Sequence, residues 1–174
     1  LLPLFASLLV CLVTAFKSKA AGEPFGAWLR SVWGEFWAGV LIFLLRQPWT
    51  AEKPDALTPT GPGDNKLPVV LVHGYLCNHR VWDTVAKGLR AQGHAVLAVN
   101  LEPLFTSIDK YVMTIEVAVM ELCQQTGASQ VALVGHSMGG LAIRAWMRAC
   151  GVELVARVLT LGTPYAGTQL ASGT

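Results

Sequence analysis

The apolar run Val131-Ala132-Leu133-Val134 breaks without a spacer into Gly135-His136-Ser137-Met138-Gly139, and a helix-like segment follows at once. Few patterns constrain a chain more than a strand that becomes a helix through a single turn residue. A turn that tight tolerates almost no side chain at its flanks, which explains glycine two positions before and two positions after Ser137. The arrangement lifts a serine hydroxyl clear of a sheet edge, so Ser137 is the candidate nucleophile. Met138 to Cys150 carries Leu141, Ile143, Trp146 and Met147 among alanines, with Arg144 and Arg148 as its polar stripe, and reads as a helix buried on most sides. The alternative is a glycine-rich turn in an ordinary strand-helix unit without chemistry.

A second signal lies upstream. Leu67-Pro68-Val69-Val70-Leu71-Val72 is the continuous apolar run of a strand buried on both faces, and it ends in His73-Gly74-Tyr75. Glycine at that exit lets the loop fold back over the sheet, where backbone N–H groups can point at a developing oxyanion. The two donors are assigned to the backbone of Tyr75 and of Met138. Gly74, Gly135, Gly139 and His73 are read as support for the loop and the turn, with His73 a packing residue that orients the loop. Val81, Trp82, Val85 and Leu89 recur at helical spacing until Gly93, and Ala95 to Leu101 is a second buried strand. Val112, Ile115, Val119 and Leu122 mark one face of a helix that Gly127 stops, and Val155 to Leu161 is a fourth strand. Strands alternating with helices imply the α/β class, with a parallel sheet covered by helices on both faces.

These residues resemble the α/β-hydrolase superfamily, and within it the bacterial lipase and esterase group. The resemblance rests on Val70 to Tyr75, Asn100-Leu101-Glu102-Pro103, Val134-Gly135-His136-Ser137-Met138-Gly139-Gly140 and Leu159 to Thr168, and spans about residues 67 to 168. Tyr165 departs from the histidine that many lipase-type relatives carry after the proline. The resemblance implies hydrolysis of carboxylic esters, expected to be acyl lipids, through an acyl-enzyme on Ser137 and without a cofactor. An acyltransferase of the same fold and a membrane-tethered scaffold with a lapsed site are the alternatives.

In this superfamily the triad follows the chain order serine, acid, histidine. After Ser137 the only acid is Glu153, which reads as a solvated turn residue, and no histidine follows at all. His73, His79, His94 and His136 lie at or before the nucleophile. The base and the acid are therefore expected beyond Thr174. The chain opens on leucine and stops directly after a strand-and-loop signal, so a fragment cut at both ends is expected. Its last strand should then stand as an exposed apolar edge.

Composition adds a further expectation about the front of the chain. Hydrophobic residues make up 53% and charged residues 14%, against ~45–50% and ~25% in ordinary soluble domains. The excess sits in residues 1–46, where Leu1 to Phe16 is nearly all apolar and closes on Lys17 and Lys19. A membrane anchor is the preferred reading and a signal peptide the rival, with the bacterial inner membrane the expected location and secretion the alternative. Residues 25–49 hold Trp28, Trp33, Trp37 and Trp49, and read as a short second span, a helix lying in the interface, or a helix packed on a protein surface. Residues 47–66, with Pro48, Pro54, Pro59 and Pro62, read as a linker, and the catalytic domain is taken as 67–174. A net charge of +2 without a basic cluster argues against nucleic acid as a partner. Cys11, Cys77, Cys123 and Cys150 show no metal-ligand spacing and are read as packing residues or free thiols.

Overall fold

The computed structural model describes residues 2–19, 22, 24–46, 66–104 and 106–167. The chain divides into two compact units, Leu1–Thr50 and Ala51–Thr174. The proline-rich segment read as a linker lies outside the described residues apart from Lys66.

The first unit is a helical hairpin of α1 (Leu2–Ser18) and α2 (Phe25–Gly39), the latter running on as a π-helix over Val40–Arg46. Trp28 closes it: its indole N–H donates to the Ala15 carbonyl at 3.1 Å, and its ring meets the edge of Phe16 with centroids 5.6 Å apart. Trp28, Val32, Phe36 and Val40 form the buried row. No helix among the described residues is long and apolar enough to cross a membrane, which corrects the expectation of membrane-spanning helices. The physical reason is length and charge. Within the described residues α1 runs 17 residues, about 25 Å beside a hydrocarbon core of roughly 30 Å. The second helix carries Arg30 and Glu35 in its middle and spends one face on the hairpin's own packing.

The second unit is an α/β sandwich. Four parallel strands, β1 (Val69–Val72), β2 (Val96–Val99), β3 (Val131–His136) and β4 (Val155–Leu161), lie in the order β2-β1-β3-β4. Three helices connect them: α3 (Asp83–Ala91), α4 (Val112–Thr126) and α5 (Met138–Cys150). Short 3₁₀ turns at His79–Trp82 and Ile108–Tyr111 lead into α3 and α4. Strand residues alternate between faces, so Val69, Leu71, Val96 and Ala98 pack with Trp82 and Ala86 on the α3 side. Val70, Val72, Leu97, Val99, Val131 and Leu133 pack with Ile115, Val119, Leu122, Ile143 and Trp146 on the other. Each such fully buried aliphatic or aromatic side chain contributes about 1.5–3 kcal/mol relative to exposure. The helix α4 ends where expected, because Gly127 takes φ +69° and its N–H closes on the Cys123 carbonyl at 2.9 Å.

Two interior polar groups are satisfied locally. The Tyr111 hydroxyl donates to the Pro103 carbonyl at 2.9 Å, and the Trp146 indole N–H donates to Glu116 Oε2 at 2.6 Å. At the edge of the sheet formed by the described residues, β4 leaves Val158, Leu159 and Leu161 exposed.

Candidate active site

In a doubly wound sheet the chain reverses its winding between two adjacent strands, and the crevice outside their carboxyl ends is where ligands bind. Here that point lies between β1 and β3, which pair with Val72 opposite Gly135. The segments leaving those two strands are His73-Gly74-Tyr75 and Ser137, so topology brings the two sequence signals together.

Ser137 has φ +51° and ψ −123°, a conformation that side-chain-bearing residues adopt only under constraint. The constraint is visible on all sides. Its N–H is held by the Leu161 carbonyl of β4 at 2.8 Å, and its own carbonyl accepts from Gly140 N–H at 3.1 Å as α5 begins. A Cβ on Gly135 would stand 2.7 Å from Gly140 N, and one on Gly139 would meet the Val72 carbonyl oxygen and lie 2.6 Å from the oxygen of His73. The helix starts so close beneath the sheet that only hydrogen fits at either flank. Met138 is the first residue of α5. Its N–H belongs to the first helical turn, where N–H groups lack intrahelical acceptors and the helix dipole adds partial positive charge.

The loop after β1 passes beside the serine. A Cβ on Gly74 would fall 2.9 Å from Ser137 Cβ and 3.1 Å from His136 Nδ1. Cys77 N–H bonds the Gly74 carbonyl at 3.3 Å, closing a turn over Tyr75 and Leu76 in which Leu76 takes φ +56°. That position in a turn ordinarily favours glycine or asparagine. A second strained residue thus flanks the first, and nothing in a leucine marks it in the sequence. Burial pushes the Cys77 thiol up, only partly offset by its bond to the Gly74 backbone, which disfavours the thiolate there.

The histidines are engaged elsewhere. His73 is 1% exposed, with Nδ1 2.8 Å from the Gly74 carbonyl and Nε2 2.9 Å from Leu101 N–H. Because a backbone N–H can only donate, Nε2 is the acceptor and Nδ1 carries the proton. Burial holds this imidazole below its ordinary pKa, and the bond to Gly74 only partly offsets it. It ties the loop after β1 to the loop after β2. His79 is clamped by Asn100 Oδ1, which accepts from its backbone N–H at 2.8 Å and lies 3.1 Å from its Nδ1. Asn100 takes this role from its place at the β2 exit, which its residue type alone does not announce. His136 is exposed and lies edge-on to Trp82, ring centroids 6.4 Å apart. His94 Nδ1 sits 2.8 Å from the Leu67 carbonyl, at the opposite end of β1. Glu153 is an exposed turn residue.

Thr163, just past β4, is a further neighbour of the turn. A Cβ on Gly140 would collide with its Oγ1, and that buried oxygen has no hydrogen-bond partner among the described residues. The glycine pair Gly139-Gly140 in the sequence is the trace of these two close approaches.

A parallel sheet with helices on both faces, a strained serine at the start of a helix and a loop folded against it define the α/β-hydrolase class. The chain belongs to the palmitoyl protein thioesterase family, which it matches over residues 68–172. It is 33% identical over 130 residues to a triacylglycerol lipase of Burkholderia plantarii, covering 70% of this chain and 36% of that protein. Against a triacylglycerol lipase of Pseudarthrobacter phenanthrenivorans it is 35% identical over 115 residues, covering 61% of this chain and 35% of the relative. The mature form of the Bacillus licheniformis lipase BlEst2 superposes with a TM-score of 0.57 at 28% identity, over 67% of this chain and 47% of that one. The chain thus spans about a third of the length of the curated lipases it matches.

Proposed function

We propose that Ser137 is the nucleophile of a carboxylic ester hydrolase acting on acyl lipids. The observation that carries the proposal is the positive φ of Ser137 at the head of α5 with Gly74 packed against it. Backbone strain at a functional side chain persists only where the surroundings over-determine it, and here glycines on both flanks do so. In the reaction, Ser137 Oγ attacks the ester carbonyl, the C–O bond to the alcohol breaks, and the acyl group stays on the serine until water releases it. The backbone N–H groups of Met138 and Tyr75 are assigned to the oxyanion. The proton passes to a histidine oriented by a carboxylate, and neither is found after Ser137 in a position matching the superfamily's order.

Two relatives bear the name triacylglycerol lipase and the family bears the name of a thioesterase. Both chemistries use an acyl carbonyl, so the machinery serves either, and the lipase relatives favour the oxygen ester. The apolar front of the chain supports work at a lipid surface, and we place the protein on a bacterial membrane.

The test is labelling of the natural protein with a fluorophosphonate probe, followed by turnover of matched oxygen and thioester acyl substrates. Label that disappears in Ser137→Ala, with the oxygen ester turned over at the higher kcat/KM, is the expected result. Labelling independent of Ser137 would overturn the assignment, and a thioester preference would move the substrate class.

A further inference from the structure

We infer that the helical hairpin docks in the plane of an anionic lipid surface through one row of side chains: Phe25, Leu29, Trp33, Trp37, Leu41 and Leu45. The inference rests on the membrane association proposed above, but not on the chemistry of Ser137.

The row recurs every four residues, the ridge spacing of a helix surface. All six side chains are exposed, from 42% at Leu41 to 64% at Phe25, although each is large and apolar. The hairpin's own packing does not need them, because the adjacent row of Trp28, Val32, Phe36 and Val40 already fills the buried side, none more than 9% exposed. A third, polar side carries Ser31 and Glu35 with small residues between, and Arg30 stands at the border of the row, beside Leu29 and Trp33. The second helix therefore has a packed face, a wet face and an apolar face that the hairpin's own packing leaves uncovered. The first helix adds to the apolar surface with Leu9, Leu12, Val13 and Phe16, all exposed. Contiguous exposed apolar surface of this extent marks an interaction site rather than ordinary scatter.

Two observations select lipid as the occupant. Tryptophan and phenylalanine rings lead the row, and indole rings are the side chains that prefer the headgroup level. Charge points the same way, since among the described side chains of the hairpin the cations Lys17, Lys19 and Arg30 stand against one acid, Glu35. Arg30 borders a shallow depression of about 360 Å³ with Gly26, Leu29 and Trp33, an apolar floor with one guanidinium at its rim. That pairing suits an acyl chain below and a phosphate above, with the arginine stem running along the apolar surface. Lys19 lies 5.8 and 5.6 Å over the rings of Phe25 and Trp28, which places an ammonium at the level of the aromatic residues. In-plane docking follows from the same geometry. The row runs roughly 30 Å along the helix axis, with Arg30 at its rim and Ser31 and Glu35 on the polar side, so its length is usable only if the axis lies along the surface.

The experiment is co-sedimentation of the intact protein with phosphatidylcholine vesicles, with and without phosphatidylglycerol, for wild type and for Trp33→Glu/Trp37→Glu. Circular dichroism keeps helical content in view, and Ala38→Glu on the polar side serves as the matched control. We expect binding that strengthens with phosphatidylglycerol, weakens at least tenfold in the double variant and stays within twofold in the control. Quenching of the fluorescence that is lost in Trp33→Phe/Trp37→Phe should be stronger from lipids brominated near the headgroup than near the bilayer centre. Equal binding of wild type and double variant overturns this surface while leaving membrane association standing; no binding of wild type to either vesicle overturns both. Quenching strongest at the bilayer centre overturns the in-plane geometry. Loss of vesicle binding that converts a self-associated protein to a monomer assigns the row to a second copy instead and overturns the lipid occupant. Fluorophosphonate labelling of Ser137, run in parallel, separates these outcomes from failure of the hydrolase reading.

Discussion

A single methyl group at Gly139 should damage the α/β unit far more than its size suggests. The added Cβ of Gly139→Ala would meet the Val72 carbonyl oxygen and stand 2.6 Å from that of His73. Ordinary carbon–oxygen contacts are about 3.3 Å or longer, so the His73 contact alone demands a shift of roughly 0.7 Å and the closer Val72 contact a larger one. Neither side yields easily. Val72 is the end of a central strand, paired to Val99 on one flank and Gly135 on the other, and both nitrogens of His73 are engaged by Gly74 and Leu101. Overpacking against such fixed atoms costs about 3 kcal/mol, which for a unit of this size lowers Tm by roughly 10 °C. The control is Gly88→Ala inside α3, where a Cβ meets nothing within 4 Å. That change removes a helix-interior glycine and should stabilise by about 0.5–1 kcal/mol. The assay is thermal unfolding followed by near-ultraviolet circular dichroism, which reports the buried Trp146. If Gly139→Ala melted within about 2 °C of wild type, the close approach of α5 to the β1 exit would be wrong, and with it the cause given for the strain at Ser137.

Ser137→Gly should raise stability by about 1 kcal/mol by relieving the positive φ, while abolishing fluorophosphonate labelling; a loss of stability would contradict the strain. Burial holds His73 below its ordinary pKa of 6.5, so the unfolded chain takes up a proton before the folded one does. Stability should therefore be intact above about pH 6.5 and fall, by up to about 1.4 kcal/mol per pH unit, as pH drops toward the folded-state pKa. Urea titrations across that window should show the slope shallower in His73→Gln, and an unchanged slope would exclude His73 as its source. Trp146→Phe deletes the donor to Glu116 and should lower stability by about 1–3 kcal/mol in chemical denaturation; the same change made in a Glu116→Ala background, where no acceptor remains, should cost less, and an equal cost would exclude the hydrogen bond as its source.

Much of the sheet unit was readable from residue pattern, and the reasons for the misses are physical. Helix α5 and strand β4 begin and end at the residues the pattern marks, because glycines or a change of period bound them. Ile115, Val119 and Leu122 are all fully buried, as one helical face should be. In α3 the pattern chose Val85, which is 43% exposed, while Ala86 takes the buried position. Trp82, Val85, Leu89 and Trp82, Ala86, Leu89 fit the helical period equally well, and hydrophobicity alone picks the larger residue. The hairpin misled for a related reason: counting apolar residues does not reveal that Trp28, Val32 and Phe36 are consumed by the helix's own neighbour. At the site, glycine spacing declared how tight the turn at Ser137 must be. The strain at Leu76 and the clamp of Asn100 on His79 are set by tertiary contacts, and neither residue type announces them.

The most direct test of the central claim is rapid-quench mass spectrometry of the natural protein mixed with an activated acyl ester. An adduct with the mass of the acyl group, mapped to Ser137 and absent from Ser137→Ala, is the result the geometry predicts. An acyl adduct on Cys77 or any other side chain, or turnover with no adduct and full activity in Ser137→Ala, would contradict it.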